Sequence, residues 1–254
     1  MKPFILEQTN WKQVKNDKYE VAILPWGATE PHNYHLPYGT DVIETEKIAE
    51  EAAEKAWNSG AKVMVLPTIP FGVQNPGQTD LPFCMHIRPS TQIIIFRDIV
   101  ESLNRQGIRK LVVLNGHGGN DFKPMIRELK SEFPEMLIAL VEWFKILDPQ
   151  EYFEEGGDHA GEMETSIIMH YFPHLVRPLD EAGEGKAKSA KLVGLKNKTA
   201  WIPRQWDVVS VDTGIGNPVK ATAEKGQRYL EETTARISNF LVEFAGCDAA
   251  DLYE

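Results

Sequence analysis

The stretch "EVAILPW", residues 20–26, decides how the rest of the chain is read. It is short and apolar nearly throughout, with no alternation of apolar and polar residues. A strand with one wet face alternates. A run without alternation fits a strand covered on both faces, as in a parallel sheet between two layers of helices. Three further stretches share the pattern: "KVMVLP" (62–67), "KLVVLN" (110–115) and "LIALVEW" (137–143).

Helical patterns lie between and after these strands. Residues 41–60 place Ala49, Ala52, Ala53 and Ala56 on one stripe and stop at Gly60. On that helix Glu44, Glu46, Glu50, Glu51 and Glu54 read as the solvated face. Residues 89–107 bring Phe96, Val100 and Leu103 to one side, with Ser90 or Thr91 as the expected N-cap and Gly107 as the stop. Shorter helices are expected over 121–133 and 160–172, and a long one over 221–245. Strands alternating with helices predict an α/β fold: a three-layer α/β/α sandwich with a mostly parallel central sheet, as one domain over 1–254. The least regular segment is 175–219. It carries six bases from Lys186 to Arg204 with no acid among them, read as a solvated loop or subunit contact, or as a rim for an anionic substrate.

The bulk composition narrows the function. The 254 residues are 42% hydrophobic and carry a formal net charge of −10. That balance is globular and argues against nucleic acid as the main partner. No run approaches the roughly 18 apolar residues of a membrane span, and the N-terminus lacks a signal-peptide core. Cys84 and Cys247 are the only cysteines and read as reduced thiols, which points to the cytoplasm.

Ligands in open α/β sheets gather beyond the carboxyl ends of the strands. Strand 20–26 runs into "EPHNYHLPYGTD" (30–41), which packs Glu30, His32, His35 and Asp41 together. Strand 110–115 runs into "NGHGGND" (115–121), with His117 among glycines that let the backbone pass close to a ligand. Strand 137–143 leads, after an excursion, to "GDHAGEMETS" (157–166), with His159 as a proton shuttle oriented by Asp158, and with Glu162 and Glu164 both open as ligands. The three loops are expected to face one crevice. Imidazole and carboxylate donors without thiolate suit Zn²⁺, Mn²⁺ or Fe²⁺. A carboxylate such as Asp41 can bridge two ions, and two such ions can lower the pKa of a bound water to about 7, supplying a nucleophile without serine or cysteine. Isolated histidines such as His86, His170 and His174 read as structural.

These motifs resemble those of the creatininase family. "LPWGATEPHNYHLPYGTD" (24–41) is similar to its opening motif, "VVLNGHGGN" (112–120) to its second and "HAGEMETS" (159–166) to its third. "TGIGNPVKATAEKG" (213–226) is similar to its C-terminal signature, with Asn217 in an Asp position. The resemblance implies a metal-dependent amidohydrolase that cleaves a C–N bond in a cyclic or small amide by attack of a hydroxide held on two divalent ions. It implies Glu30 and His117 on one ion, His32 on the other, Asp41 bridging, and His159 as the acid–base residue. It also implies a homo-oligomer, often a hexamer, acting on a small-molecule amide, with neither nucleic acid nor a membrane as partner. Three departures stand out. Gly119 occupies the position of a metal-ligating Glu, so Glu164 is the expected replacement and is counted with both the ligands and the catalytic residues. No Trp precedes His159 in "DPQEYFEEGGD" (148–158), and residues 71–91 do not follow the family's His-x-x-Phe-Pro-Gly-Thr pattern. The departures shift weight from creatinine itself toward formamide or peptide hydrolysis in a cofactor pathway. Two other readings are a two-metal phosphoester hydrolase and, outside the enzymes, a metal-stabilised metabolite sensor.

Overall fold

A computed structural model describes residues 2–253. Its centre is a four-stranded sheet in the order β2-β1-β3-β4, with β1 Val21–Trp26, β2 Val63–Val65, β3 Lys110–Asn115 and β4 Leu137–Glu142. All three pairings are parallel. β1 and β3 align from Val21 opposite Lys110 to Trp26 opposite Asn115, so both strands end at the same level.

Side chains of alternate residues leave a strand on opposite faces, and here both faces are dry. Val21, Ile23, Val63, Val65, Val112 and Leu114 point into one core. That core is completed by Ile48, Ala49, Ala52, Ala53 and Ala56 of α1 (Thr40–Asn58) and by the C-terminal helix, whose Tyr229, Leu230, Ile237 and Leu241 are buried there. Ala22, Leu24, Trp26, Leu111 and Val113 point the other way, onto Phe96, Val100 and Leu103 of α2 (Pro89–Arg105) and Phe122, Met125 and Leu129 of α3 (Phe122–Glu132). The absence of alternation in "EVAILPW" thus has its cause in two separate apolar clusters. The α/β/α layering with a mostly parallel sheet is as expected.

α4 (Glu162–Tyr171) and α5 (Ala223–Gly246) pack together beside α1. A second sheet joins β5 (Gly157–His159) antiparallel to β6 (Ile215–Gly216). The two chains approach so closely that a Cβ on Gly157 would lie 2.4 Å from the Gly216 Cα. This sheet draws the "TGIGNP" segment onto the strand that delivers His159.

Two local expectations are corrected. The helix over 89–105 is capped by neither Ser90 nor Thr91; Arg88 is the N-cap and Pro89 takes the first turn, where its fixed φ is preorganised and its missing N–H costs nothing. The glutamates of α1 do not form one solvated face. Glu44 is fully buried and Glu50 nearly so, because α4 and α5 cover that side of the helix. The paired strands β5 and β6, of three and two residues, are too short to carry a periodic signal. The segment 175–219 is irregular as expected, with one-turn helices at Val193–Lys196 and Trp206–Val209. Among the described residues, no helix is long and apolar enough to cross a membrane.

Candidate metal centre

β1 and β3 finish side by side, and the main-chain N–H of Gly116 donates to the Trp26 carbonyl at 3.0 Å, carrying the pairing one step beyond the strands. The chain then diverges on each side of a small crevice. Past β1, Gly27 lies so close to the start of α1 that a Cβ there would sit 2.8 Å from Val42 N. This contact sets Asp41, in the first turn of α1, beside Glu30 and His32. Past β3, Asn115 clasps the turn: its Nδ2 donates to the His117 carbonyl at 2.9 Å and its Oδ1 accepts from His117 N at 3.2 Å. Of the three glycines in this loop, two meet a steric demand. A Cβ on Gly116 would lie 1.7 Å from Thr45 Oγ1, and one on Gly119 would lie 2.1 Å from the Val73 carbonyl, whereas Gly118 faces open space.

Each of three imidazoles is tied through one nitrogen to a main-chain carbonyl. His32 Nδ1 donates to Glu30 O at 3.0 Å, His117 Nε2 to Val73 O at 2.9 Å, and His159 Nε2 to Pro31 O at 2.9 Å. A carbonyl only accepts, so in each neutral ring the lone pair sits on the other nitrogen, and that nitrogen faces the crevice. His32 Nε2 lies 2.9 Å from Asp41 Oδ1, and His117 Nδ1 lies 2.9 Å from Asp41 Oδ2 and 3.1 Å from Glu30 Oε1. His159 Nδ1 is 3.6 Å from Glu30 Oε1.

The donor atoms form three overlapping groups, each within 4.8 Å: Glu30, Asp41 and His117; His32, Asp41 and Glu164; and Glu30, His32 and His159. Asp41 belongs to the first two, presenting a different oxygen to each side. Glu164 reaches the cluster from the first turn of α4, with its Oε2 accepting the Ala160 N–H. Glu162, the other carboxylate of that turn, faces away. Its oxygens accept Glu154 N, Glu155 N and the Lys225 ammonium. His35 is buried beside the cluster but turns its Nε2 to Thr165 Oγ1 at 2.8 Å, bracing α4; burial, with His32 adding to it, pushes its pKa down to about 4. His86 accepts Gln74 N and, like His170 and His174, stands outside the groups.

These residues fit a cation. His32 Nε2 and Asp41 Oδ2 are buried and make no hydrogen bond of acceptable geometry despite their short contacts. Atoms that are close but not aimed at one another suit a shared point between them. Glu30, Asp41 and Glu164 are carboxylates in a desolvated space, which is costly unless positive charge joins them. In the metal-free protein, protons supply that charge. Burial opposes ionisation of His32, but Asp41, with Glu164 and Glu30 adding to it, pushes its pKa up to about 10. Burial likewise opposes the charge on His117, and Glu30 and Asp41 overcome it, raising this group too. Burial would raise Glu30 and Asp41, yet the imidazoles hold both below the ordinary carboxylate range. Glu164 is raised, by burial foremost. Cys84 stands outside the donor groups, and burial and then the charge of Glu30 push its thiol up to about 12.

Other contacts at the site escaped the sequence reading. Asp158 does not orient His159; it is half exposed and pairs with Arg204. The carbonyl of Pro31 takes that place, and the indole of Trp206 stands edge-on to the ring. Buried Gln78 donates its amide to Glu30 Oε2, leaving Oε1 for the cluster. Gln78 lies within the departing stretch 71–91, which was its only signal. Nothing marked Trp206. Glu44, one helical turn beyond Asp41, has neither oxygen hydrogen-bonded, and burial, then Glu164 and Asp41, keep it well above an ordinary carboxyl. A cavity of about 650 Å³ opens against the cluster, with Phe153, Asp158, His159, Met163, Glu164 and Lys220 on its walls.

Comparison with known proteins bears on this geometry. A crystal structure from Bacteroides fragilis NCTC 9343, whose designation as a creatinine amidohydrolase is itself provisional, superposes with a TM-score of 0.95 at 52% identity over 100% of both chains. The creatinine amidohydrolase of Pseudomonas putida is 29% identical over 252 residues, covering 88% of this chain and 89% of its own. The 3-dehydro-scyllo-inosose hydrolase of Thermotoga maritima is 28% identical over 234 residues, covering 84% and 73%. The family model described as "Creatininase: Creatinine amidohydrolase" matches residues 7–241. A match of that length, over the loops that carry the imidazoles and carboxylates described above, shows that the chain belongs to the creatininase family of metal-dependent amidohydrolases.

Proposed function

We propose that this protein hydrolyses the C–N bond of a small or cyclic amide, with Glu30, Asp41 and His117 holding one divalent ion and His32, Asp41 and Glu164 a second. The observation that carries the reading is Asp41, which turns one oxygen to each donor group. Zn²⁺, Mn²⁺ and Fe²⁺ suit the imidazole–carboxylate donors. When bound, such ions polarise a carbonyl and make water acidic enough to act as a nucleophile near neutral pH.

The chain's own groups supply the rest. His159 has its Nε2 proton committed to Pro31, so Nδ1 is the nitrogen free to accept a proton in the crevice and deliver it to the departing amine. Glu164 sits on the cavity wall with Oε2 tied to Ala160 N, which leaves Oε1 to serve the site. Gln78 and the carbonyl latches fix the orientation of the remaining donors.

The substrate is a small molecule. The cavity is of ordinary ligand size, and its walls favour a neutral or cationic amide over an anion. Asp148, Glu154, Glu155, Asp158, Glu162 and Glu164 border it against the single base Lys220. The basic run 186–204 does not redress this balance, since none of its residues lines the cavity and Arg204 only offsets Asp158. That weighs against the phosphoester reading. Relatives named for creatinine and for a dehydro-inosose show that one scaffold serves different substrates, and formamides and short peptides stay in the candidate set. We place the protein in the cytoplasm as a homo-oligomer, up to a hexamer, with neither nucleic acid nor membrane as partner; the acidic charge balance supports the exclusion of nucleic acid.

The test is metal analysis of the purified chain, followed by an assay panel of creatinine, other cyclic amides, formamides, short peptides and a phosphoester with added Zn²⁺ or Mn²⁺. Metal-dependent release of an amine from an amide is expected. Binding of these compounds without product, or turnover of the phosphoester alone, overturns the proposal.

A further inference from the structure

Segment 175–219 sends one large side chain into the metal centre. Trp206 opens a one-turn helix and is 4% exposed. Its ring meets the His159 imidazole edge-on, with centroids 5.2 Å apart and planes at 86°. The His32 ring lies against the same imidazole at 4.1 Å and 33°. His159 is therefore hemmed by two rings while its Nε2 is tied to Pro31.

Trp206 is itself anchored twice. Its main-chain N–H donates to the Pro76 carbonyl at 2.8 Å, and its indole Nε1 to the Thr213 carbonyl at 3.1 Å. Thr213 has φ +67, a left-handed conformation that β-branched residues rarely adopt. Its hydroxyl accepts Asn33 N at 2.9 Å and reaches the Pro31 carbonyl at 3.4 Å, the same oxygen that holds His159. Asn33 and Ala160, the residues following His32 and its neighbour His159, are left-handed as well, at φ +56 and +52. Three non-glycine residues in this conformation, grouped around two imidazoles, persist only where surrounding contacts over-determine them.

We propose that Trp206, anchored by Thr213, is a positioning residue for His159: it blocks rotation of the imidazole about Cβ–Cγ and keeps Nδ1 turned toward the crevice. A freely turning ring would exchange Nδ1 for a carbon and surrender the Pro31 latch. The functional half of this inference rests on the reading of His159 as proton carrier; the geometric half does not.

The experiment uses the full chain loaded with Zn²⁺ and labelled with ¹⁵N-histidine, the His159 signals being assigned by their loss in His159→Ala. The wild type should show a single Nε2–H tautomer at His159. Trp206→Leu should mix the tautomers or broaden those signals while zinc stoichiometry stays constant. Trp206→Phe, which keeps a ring but loses the indole anchor, should fall between, and serves if the leucine variant does not fold. Thr213→Ser should behave as wild type and Thr213→Val as Trp206→Phe. On the fastest amide of the panel, Trp206→Leu should lower kcat by up to about 100-fold with little change in KM, and add nothing in a His159→Ala background. An unchanged His159 spectrum in a folded variant, a change confined to KM, or an equal loss in the His159→Ala background overturns the inference. Full turnover in His159→Ala alone would instead remove the proton-carrier reading and leave the tautomer result standing.

Discussion

Asp41 and His117 meet through Asp41 Oδ2 at 2.9 Å, while the other oxygen of the same carboxylate stands 2.9 Å from His32. A residue shared in this way couples two donor groups. Asp41→Ala, and His32→Ala on one side, should lose metal and turnover together. The loss of affinity should exceed the roughly 10–100-fold that removal of a supporting partner costs. Metal analysis after gel filtration, alongside the amide assay, checks this; activity retained in either variant refutes the ligand assignment.

His159 should separate from the ligands. His159→Ala is expected to keep its metal content and lose about 10²–10⁴-fold in kcat, the usual scale of a general acid–base contribution. Loss of metal in this variant would make His159 a ligand, consistent with its place in the group with Glu30 and His32.

Protons and cations compete for the same site, and the direction follows from His32. Its pKa is raised from 6.5 to about 10 in the metal-free fold. The stabilisation from its charged form is fully present below about pH 6.5 and is lost as pH rises toward about 10. Denaturant midpoints of chelated protein should therefore fall across that window, while metal-loaded protein should stay nearly level. At the acid end the lowered Glu30 and Asp41 act oppositely: their contribution is lost as pH falls through their depressed values. Metal affinity should rise with pH between 6.5 and 10, with proton release measurable by calorimetry in buffers of different ionisation enthalpy.

The glycines after β3 make a paired comparison. Gly116→Ala would drive a methyl into Thr45 Oγ1, a hydroxyl that donates to the Asp41 carbonyl. It should destabilise the protein by about 1–3 kcal/mol, the usual cost of overpacking, and weaken metal binding through Asp41. Gly118→Ala meets nothing within 4 Å and should change neither. Thermal melts and metal titrations of the two variants decide the matter.

The layers of the fold were legible because the apolar stretches in the strands reflect burial on both faces, a property each strand carries by itself. The ligand loops were legible because His and acidic side chains at strand ends have few other reasons to cluster. Glu44 was misread because its exposure depends on α4 and α5, which arrive from far along the chain. Trp206 carries no signal, and Gln78 only that of the departing stretch it lies in, for the same reason: each acts on a residue more than 40 positions away, and neither lies in a periodic pattern. Asp158 was assigned to His159 by adjacency alone, whereas neighbours on a strand point to opposite faces.

The three imidazole latches end on backbone oxygens, which no point substitution deletes. The frame that aims the rings is therefore heritable separately from the set of acids around them. A carboxylate can be absent from one loop, as at Gly119, without re-aiming a single histidine. Variation in such a protein should concentrate in the cavity wall, and chelator-stripped protein should regain its ions without refolding.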